Sequence, residues 1–249
     1  MNKMKTLITL ALVCFFALQV DAQTKKPVVK KSATTKTIVK KPAAKRSSTT
    51  RAKVIIPGTR VKVTTDSGVM IIRLYDKTPL HRDNFIKLAN DHFFDSLLFH
   101  RVIQGFMLQG GDPQSKYAQP GQMLGMGDVG YTIPAEFDTS LFHKKGALAA
   151  ARTPNPAKAS SGCQFYIVQG NKLTDADLNN MEMGKGIKYS PQQRNIYKTI
   201  GGTPFLDMDY TVFGEVETGL NVIDKIASVP KAAGDRPLGD LRMKIEVIK

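Results

Sequence analysis

Phe99-His-Arg101-Val-Ile-Gln-Gly-Phe106-Met107-Leu-Gln109-Gly-Gly-Asp112 is the run of this 249-residue chain on which the fold turns. Arg101 stands alone between apolar strand residues, and Phe106, Met107 and Gln109 follow at near-alternating spacing. Gly110-Gly111 then turns the chain. A strand pair of this kind places a guanidinium, an apolar wall and an amide around one surface, which suits a ligand that is apolar on one side and carries a carbonyl on the other. An ordinary strand pair with one solvated arginine has the same composition, so the run by itself leaves both readings open.

Outward from it, further short apolar segments at 97–103, 146–151, 164–169, 211–216 and 241–248 alternate with Gly- and Pro-rich connections. Near the start of this region, Val61-Lys-Val-Thr and Val69-Met-Ile-Ile-Arg-Leu-Tyr flank Asp66-Ser67-Gly68, the pattern of a β-hairpin. Thr78-Pro79 opens a helix as N-cap and first-turn proline, with Phe85, Leu88, Ala89 and His92 spaced for one face. Residues 219–229 carry Val222, Ile223 and Ile226 on a second short helix. Many strands and two helices without regular βα alternation predict a mainly β architecture, an antiparallel barrel or sandwich with helical caps. Residues 171–203 interrupt the pattern. Thr174-Asp-Ala-Asp-Leu and Ser190-Pro191-Gln-Gln193 read as capped helix starts, so this stretch predicts a helical insertion closed by Gly201-Gly202. A partner-binding or gating element and a plain surface decoration both fit it.

The formal charge of +15, from 36 Lys+Arg against 21 Asp+Glu, raises the question of an anionic partner. It is unevenly spread. Residues 1–22 carry Lys3 and Lys5, an apolar run from Leu7 to Val20, and small residues near Ala22; this reads as a secretory signal peptide, since a run of 14 residues is too short to span a bilayer of about 30 Å. Residues 23–53 hold nine Lys, two Arg and nine Ser+Thr, with no acidic or aromatic residue; such a basic tail cannot bury enough apolar surface to fold alone. Residues 54–249 carry 23 basic and 20 acidic side chains and read as one folded domain, the simpler count. The tail fits electrostatic attachment to an anionic envelope surface or a soluble spacer, and without interleaved aromatics it lacks the means to stack on bases.

Gly125-Met-Gly127-Asp-Val-Gly130 matches the dinucleotide fingerprint letter for letter, but Gln119-Pro-Gly-Gln before it and Tyr131-Thr-Ile-Pro134 after it offer neither strand nor helix. A flexible loop is the expectation. His81, His92, His100 and His143 are not grouped with Cys or carboxylates at metal-ligand spacing. Cys14 and Cys163 are too few for a disulfide framework, and Cys163 in an apolar strand reads as a small buried side chain.

Three stretches, the run 99–112, Ser161-Gly-Cys-Gln164-Phe165-Tyr166-Ile, and Phe205-Leu206-Asp-Met-Asp-Tyr210-Thr-Val-Phe213-Gly214, resemble in order the signature blocks of cyclophilin-type peptidyl-prolyl cis-trans isomerases of the bacterial secreted type, over about residues 60–249. The resemblance implies a closed eight-stranded antiparallel β-barrel capped by two α-helices. It implies Arg101 and Gln109 as catalytic residues, and Phe106, Met107, Tyr166, Leu206 and Tyr210 as the proline pocket. Ala151, Arg152, Gln164 and Phe205 would line the groove beside it. It also implies a cofactor-free, metal-free monomer acting on proline-containing polypeptides, without specific nucleic acid; the signal peptide points to the periplasm or the cell exterior. Four positions depart from eukaryotic members: Tyr166 stands for Phe, Phe205 for Trp, Tyr210 for His and Arg152 for Asn. The resemblance therefore does not extend to tight cyclosporin binding. A proline-segment-binding chaperone or scaffold module without turnover would use the same groove.

Overall fold

The computed structural model describes residues 58–248; the expected signal peptide and basic tail lie outside the described residues. In chain order the elements are β1 (Arg60–Thr65), β2 (Gly68–Leu74), α1 (Pro79–Asn90), β3 (Arg101–Ile103), β4 (Met107–Gly110), β5 (Thr132–Ile133), β6 (Ala147–Ala150) and β7 (Ser160–Ser161). After these come β8 (Phe165–Val168), α2 (Asp175–Lys185), α3 (Pro191–Thr199), β9 (Val212–Thr218), α4 (Leu220–Ala227) and β10 (Met243–Ile248). Eight strands form one antiparallel sheet in the order β10-β1-β2-β9-β6-β8-β4-β3, and β5 pairs with β7 apart from it. The two edges meet through a bridge between Leu98 and Arg242, with Phe99 N–H donating to the Leu241 carbonyl and Met243 N–H to that of Leu97, both at 2.9 Å. The barrel is thus joined at its seam by short bridging segments and not by a regular ladder.

Strand periodicity sorts side chains to two faces. Leu108 of β4, Leu148 and Ala150 of β6, and Phe165 and Ile167 of β8 enter one core with Val61, Val63, Met70 and Ile72. Helix α1 adds Phe85 and Leu88 to that core, and α4 adds Val222, Ile223 and Ile226. Phe85, Phe94, Phe165 and Phe213 pack edge-on or tilted with centroids 4.8–5.6 Å apart, contacts worth about 0.5–1.5 kcal/mol per pair beyond area burial. The alternate residues Met107, Ala147, Ala149, Tyr166 and Val168 fall on the other face and make a second cluster with Leu206 and Val212.

The β1–β2 hairpin runs as its sequence predicts, Thr65 opposite Gly68. At α1 the expectation is corrected. Thr78 does precede the helix, but its hydroxyl donates to the Tyr75 carbonyl at 3.4 Å and caps nothing. The helix N-terminus is held instead by Glu136, whose two carboxylate oxygens accept the N–H groups of Leu80 and His81, each at 3.0 Å. Nor does His92 share the helical face: α1 ends at Asn90, and His92 takes φ 56° with an exposed side chain. Between 171 and 203, α2 and α3 start with complete capping boxes, Thr174 with Asp177 and Ser190 with Gln193. This stretch has its own small core of Leu178, Tyr189 and Tyr197. Gly202 closes it where no side chain fits, since a Cβ there would stand 2.2 Å from the His143 carbonyl oxygen.

Candidate functional site

The site lies on the outer face of the sheet, where register alone assembles a row of side chains. Arg101 pairs with Gln109 across β3 and β4, Gln109 with Tyr166 across β4 and β8, and Tyr166 with Ala149 across β8 and β6. A cavity of about 200 Å³ opens over this row. Its lining includes Arg101, Gln109, Phe106, Met107, Tyr166 and Leu206, together with Ala151, Arg152 and Tyr210. Met107, Tyr166 and Leu206 are buried beneath it, and Arg101, Gln109 and Arg152 bring polar groups to the same lining.

Polar contacts fix that edge. Arg101 Nη1 is 3.5 Å from Gln109 Oε1, and its Nε is 3.7 Å from Asp235 Oδ2. With both partners nearly half exposed, the Asp235 pair is a surface ion pair worth little in stability. Gln109 Nε2 donates to Gln164 Oε1 at 3.0 Å, and Gln164 Nε2 donates to the carbonyls of Gly125 and Gly127 at 3.0 and 2.7 Å. The fingerprint-like loop is therefore tied down, contrary to its expected flexibility. Buried Asp112 completes the tie by accepting the N–H groups of Gln114, at 2.8 Å, and Gly125. A Cβ at Gly127 would fall 2.1 Å from Asp112 Oδ1, so the loop needs glycine there.

Arg152 lies over the Tyr210 ring, 4.6 Å from its centroid, and donates from Nε to the Asp209 carbonyl at 2.9 Å. Of the residues expected in the groove, Gln164 and Phe205 do not line the main cavity. Gln164 borders a second cavity of about 150 Å³ that shares Gln109, Ala151 and Arg152 with the first. Phe205 is half exposed, its ring 5.5 Å from that of Phe106 at the rim.

Four residues around the site escaped sequence reasoning: His100, Asp235, His143 and Asp207. His100, beside Arg101, is buried, and burial lowers its pKa to about 4 against the opposing pull of Asp112. His143 joins its Nε2 to the Tyr166 hydroxyl at 2.9 Å and its Nδ1 to Asp207 Oδ1 at 2.7 Å. Adjacency to Arg101 and Leu206 was the only sequence signal for His100 and Asp207; Asp235 and His143 had none. Cys163 is a buried thiol whose pKa burial pushes up to about 11, a packing residue.

Comparison with known proteins agrees with this geometry. The sequence profile of the cyclophilin-type peptidyl-prolyl cis-trans isomerases matches residues 60–247. A protein of Staphylococcus saprophyticus named as a peptidyl-prolyl cis-trans isomerase is 32% identical over 186 residues, covering 74% of this chain and 89% of its own. A Staphylococcus aureus protein of the same name is 33% identical over 178 residues, 71% of this chain and 84% of its own. A Streptococcus pyogenes protein named as a bifunctional phosphatase/peptidyl-prolyl cis-trans isomerase is 36% identical over 179 residues; the chain spans only 36% of its length. Among solved structures, a cyclophilin-type isomerase of Cryptosporidium parvum shares the fold with a TM-score of 0.57 at 22% identity, over 77% of this chain and 98% of that one. The chain belongs to the cyclophilin-type peptidyl-prolyl cis-trans isomerases.

Proposed function

We propose that this peptidyl-prolyl cis-trans isomerase accelerates X–Pro bond rotation in exported polypeptides by non-covalent stabilisation of the twisted amide, with Arg101 and Gln109 as its catalytic residues. Rotation about the bond faces a barrier of about 18–20 kcal/mol because twisting destroys amide resonance, and unaided it takes tens to hundreds of seconds. As the bond twists, the proline nitrogen becomes pyramidal and regains a lone pair. Arg101, through its rigid forked guanidinium, donates to that nitrogen or to the proline carbonyl. Gln109 holds the substrate backbone. Phe106, Met107, Tyr166, Leu206 and Tyr210 grip the pyrrolidine ring while the preceding segment turns, and Ala151, Arg152, Gln164 and Phe205 contact the residues beside it. Acceleration follows because these donors bind the twisted state more strongly than either planar one.

The observation that carries this reading is a guanidinium lining a cavity of about 200 Å³ together with Phe106, Met107 and Leu206, beside a glutamine 3.5 Å away. The test is exchange NMR on an Ala-Pro peptide: cis–trans exchange far above the spontaneous rate supports it, and binding without faster exchange makes the protein a proline-segment-binding module. Export is proposed from the pattern of residues 1–22 and is tested by whether the mature chain begins at Gln23. Attachment of residues 23–53 to an anionic envelope surface is proposed from their eleven uncompensated positive charges. Deleting them should abolish salt-sensitive retention on anionic vesicles, and unchanged retention refutes it.

A further inference from the structure

Behind the pocket wall a buried polar chain leads from Tyr166 to the helices of 171–203. Asp207 Oδ1 accepts the backbone N–H of His143 at 2.8 Å and its Nδ1–H at 2.7 Å. Asp207 Oδ2 accepts the hydroxyls of Tyr189 at 2.9 Å and Tyr197 at 2.5 Å. We assign the ring proton of His143 to Nδ1, which faces Asp207 Oδ1. Nε2 is then an acceptor, and the Tyr166 hydroxyl donates to it at 2.9 Å. Tyr166, His143, Asp207, Tyr189 and Tyr197 are all buried, so each bond is shielded from water.

Packing, chain connectivity and one further hydrogen bond tie the same parts together. Leu141 packs in the pocket cluster, whereas its neighbour Phe142 packs in the small core of 171–203, 5.2 Å from the Tyr197 ring. Asp207 directly follows the turn that supplies Phe205 and Leu206. Lys185 of α2 donates to its carbonyl at 2.8 Å. A surface decoration would need none of this. A carboxylate buried here is stable only while its donors are in place, since removing a partner leaves an uncompensated charge.

We propose that Tyr189 and Tyr197 are positioning residues for the proline pocket, acting through Asp207 and His143 to fix the ring and hydroxyl of Tyr166. Residues 171–203 are then part of the substrate-holding apparatus. With its proton committed to His143, Tyr166 has only acceptor capacity left, so the pocket wall does not compete with Arg101 as a donor to the substrate carbonyl. This inference rests on the reading of the pocket given above.

The test is a double-mutant cycle in the exchange assay. Y189F/Y197F in the parent chain should raise KM for an Ala-Pro peptide about fivefold, the effect expected of one buried hydrogen bond, with kcat within about twofold. In a Tyr166→Phe background the same pair should change KM by less than about twofold. An unchanged KM in the parent, or an equal rise in both backgrounds, overturns the proposal. Should the double variant fail to fold, Tyr189→Phe alone serves, and the ¹³C resonance of the labelled Tyr166 ring must shift in it; an unmoved resonance also overturns the proposal. Arg101→Ala in the same assay separates the two levels: activity that depends on Arg101 but shows no coupling removes only this inference, whereas activity independent of Arg101 removes the pocket reading itself.

Discussion

Arg101 and Gln109 face each other across the β3–β4 hairpin, with Nη1 of the one 3.5 Å from Oε1 of the other. This is at the long limit for a hydrogen bond, and such contacts commonly tighten only when substrate arrives. Gln109 is itself held by Gln164, so the donor edge of the pocket is a relay from Arg101 to the carbonyls of the 125–127 loop.

Gln109→Leu keeps the side-chain volume and removes both ends of that relay. It should lower kcat/KM for an Ala-Pro peptide about fivefold, the worth of roughly 1 kcal/mol, without lowering the thermal midpoint by more than a few degrees. An unaltered kcat/KM would leave Gln109 without a catalytic role.

Glu136 predicts a stability effect away from the site. Its carboxylate takes two N–H groups of the first turn of α1 and sits 2.7 Å from His81 Nδ1. Glu136→Ala should cost about 2–3 kcal/mol in urea unfolding, as two cap donors and a buried ring lose their partner. Glu136→Gln, which keeps one acceptor oxygen, should cost less. An unmoved urea midpoint in the alanine variant would refute the cap.

The pH profile follows from the groups around Arg101. Burial holds His100 neutral down to about pH 4, with Asp112 opposing and Arg101 and Arg236 reinforcing the shift. Turnover should therefore be flat from about pH 6 to about pH 9, whereas a step near pH 6.5 would implicate a titrating histidine. Stability has the opposite dependence to that of a paired histidine. The folded state resists protonation and the unfolded state accepts it near pH 6.5, so the contribution of His100 is complete above that value and is lost as pH falls toward about 4.

The shared face of Met107 and Gln109 was legible because a strand must turn successive side chains to opposite faces, whereas the place of Tyr166 opposite Gln109 came from the family resemblance. The capping boxes at Thr174 and Ser190 were legible for the same local reason. Long-range partnership was not. Thr78 is an acceptable cap by type, yet Glu136, distant in the chain, supplies a stronger acceptor pair. The Gly125–Gly130 loop looks mobile by composition, but Gln164 and Asp112 hold it. His143 carries no local mark of its position behind Tyr166, because that position depends on chain pairing at Gly202. The family resemblance supplied the roles of Arg101 and its neighbours, and the register shows how they come to stand in one row.

Arg101→Ala, measured by exchange NMR with the Ala-Pro peptide beside the parent protein, separates a catalytic guanidinium from a bystander at the pocket edge. The side chain is nearly half exposed at the pocket edge, so the fold should survive its loss. kcat/KM should fall at least about tenfold, or about 1.4 kcal/mol of transition-state stabilisation. A folded variant with undiminished turnover would contradict it.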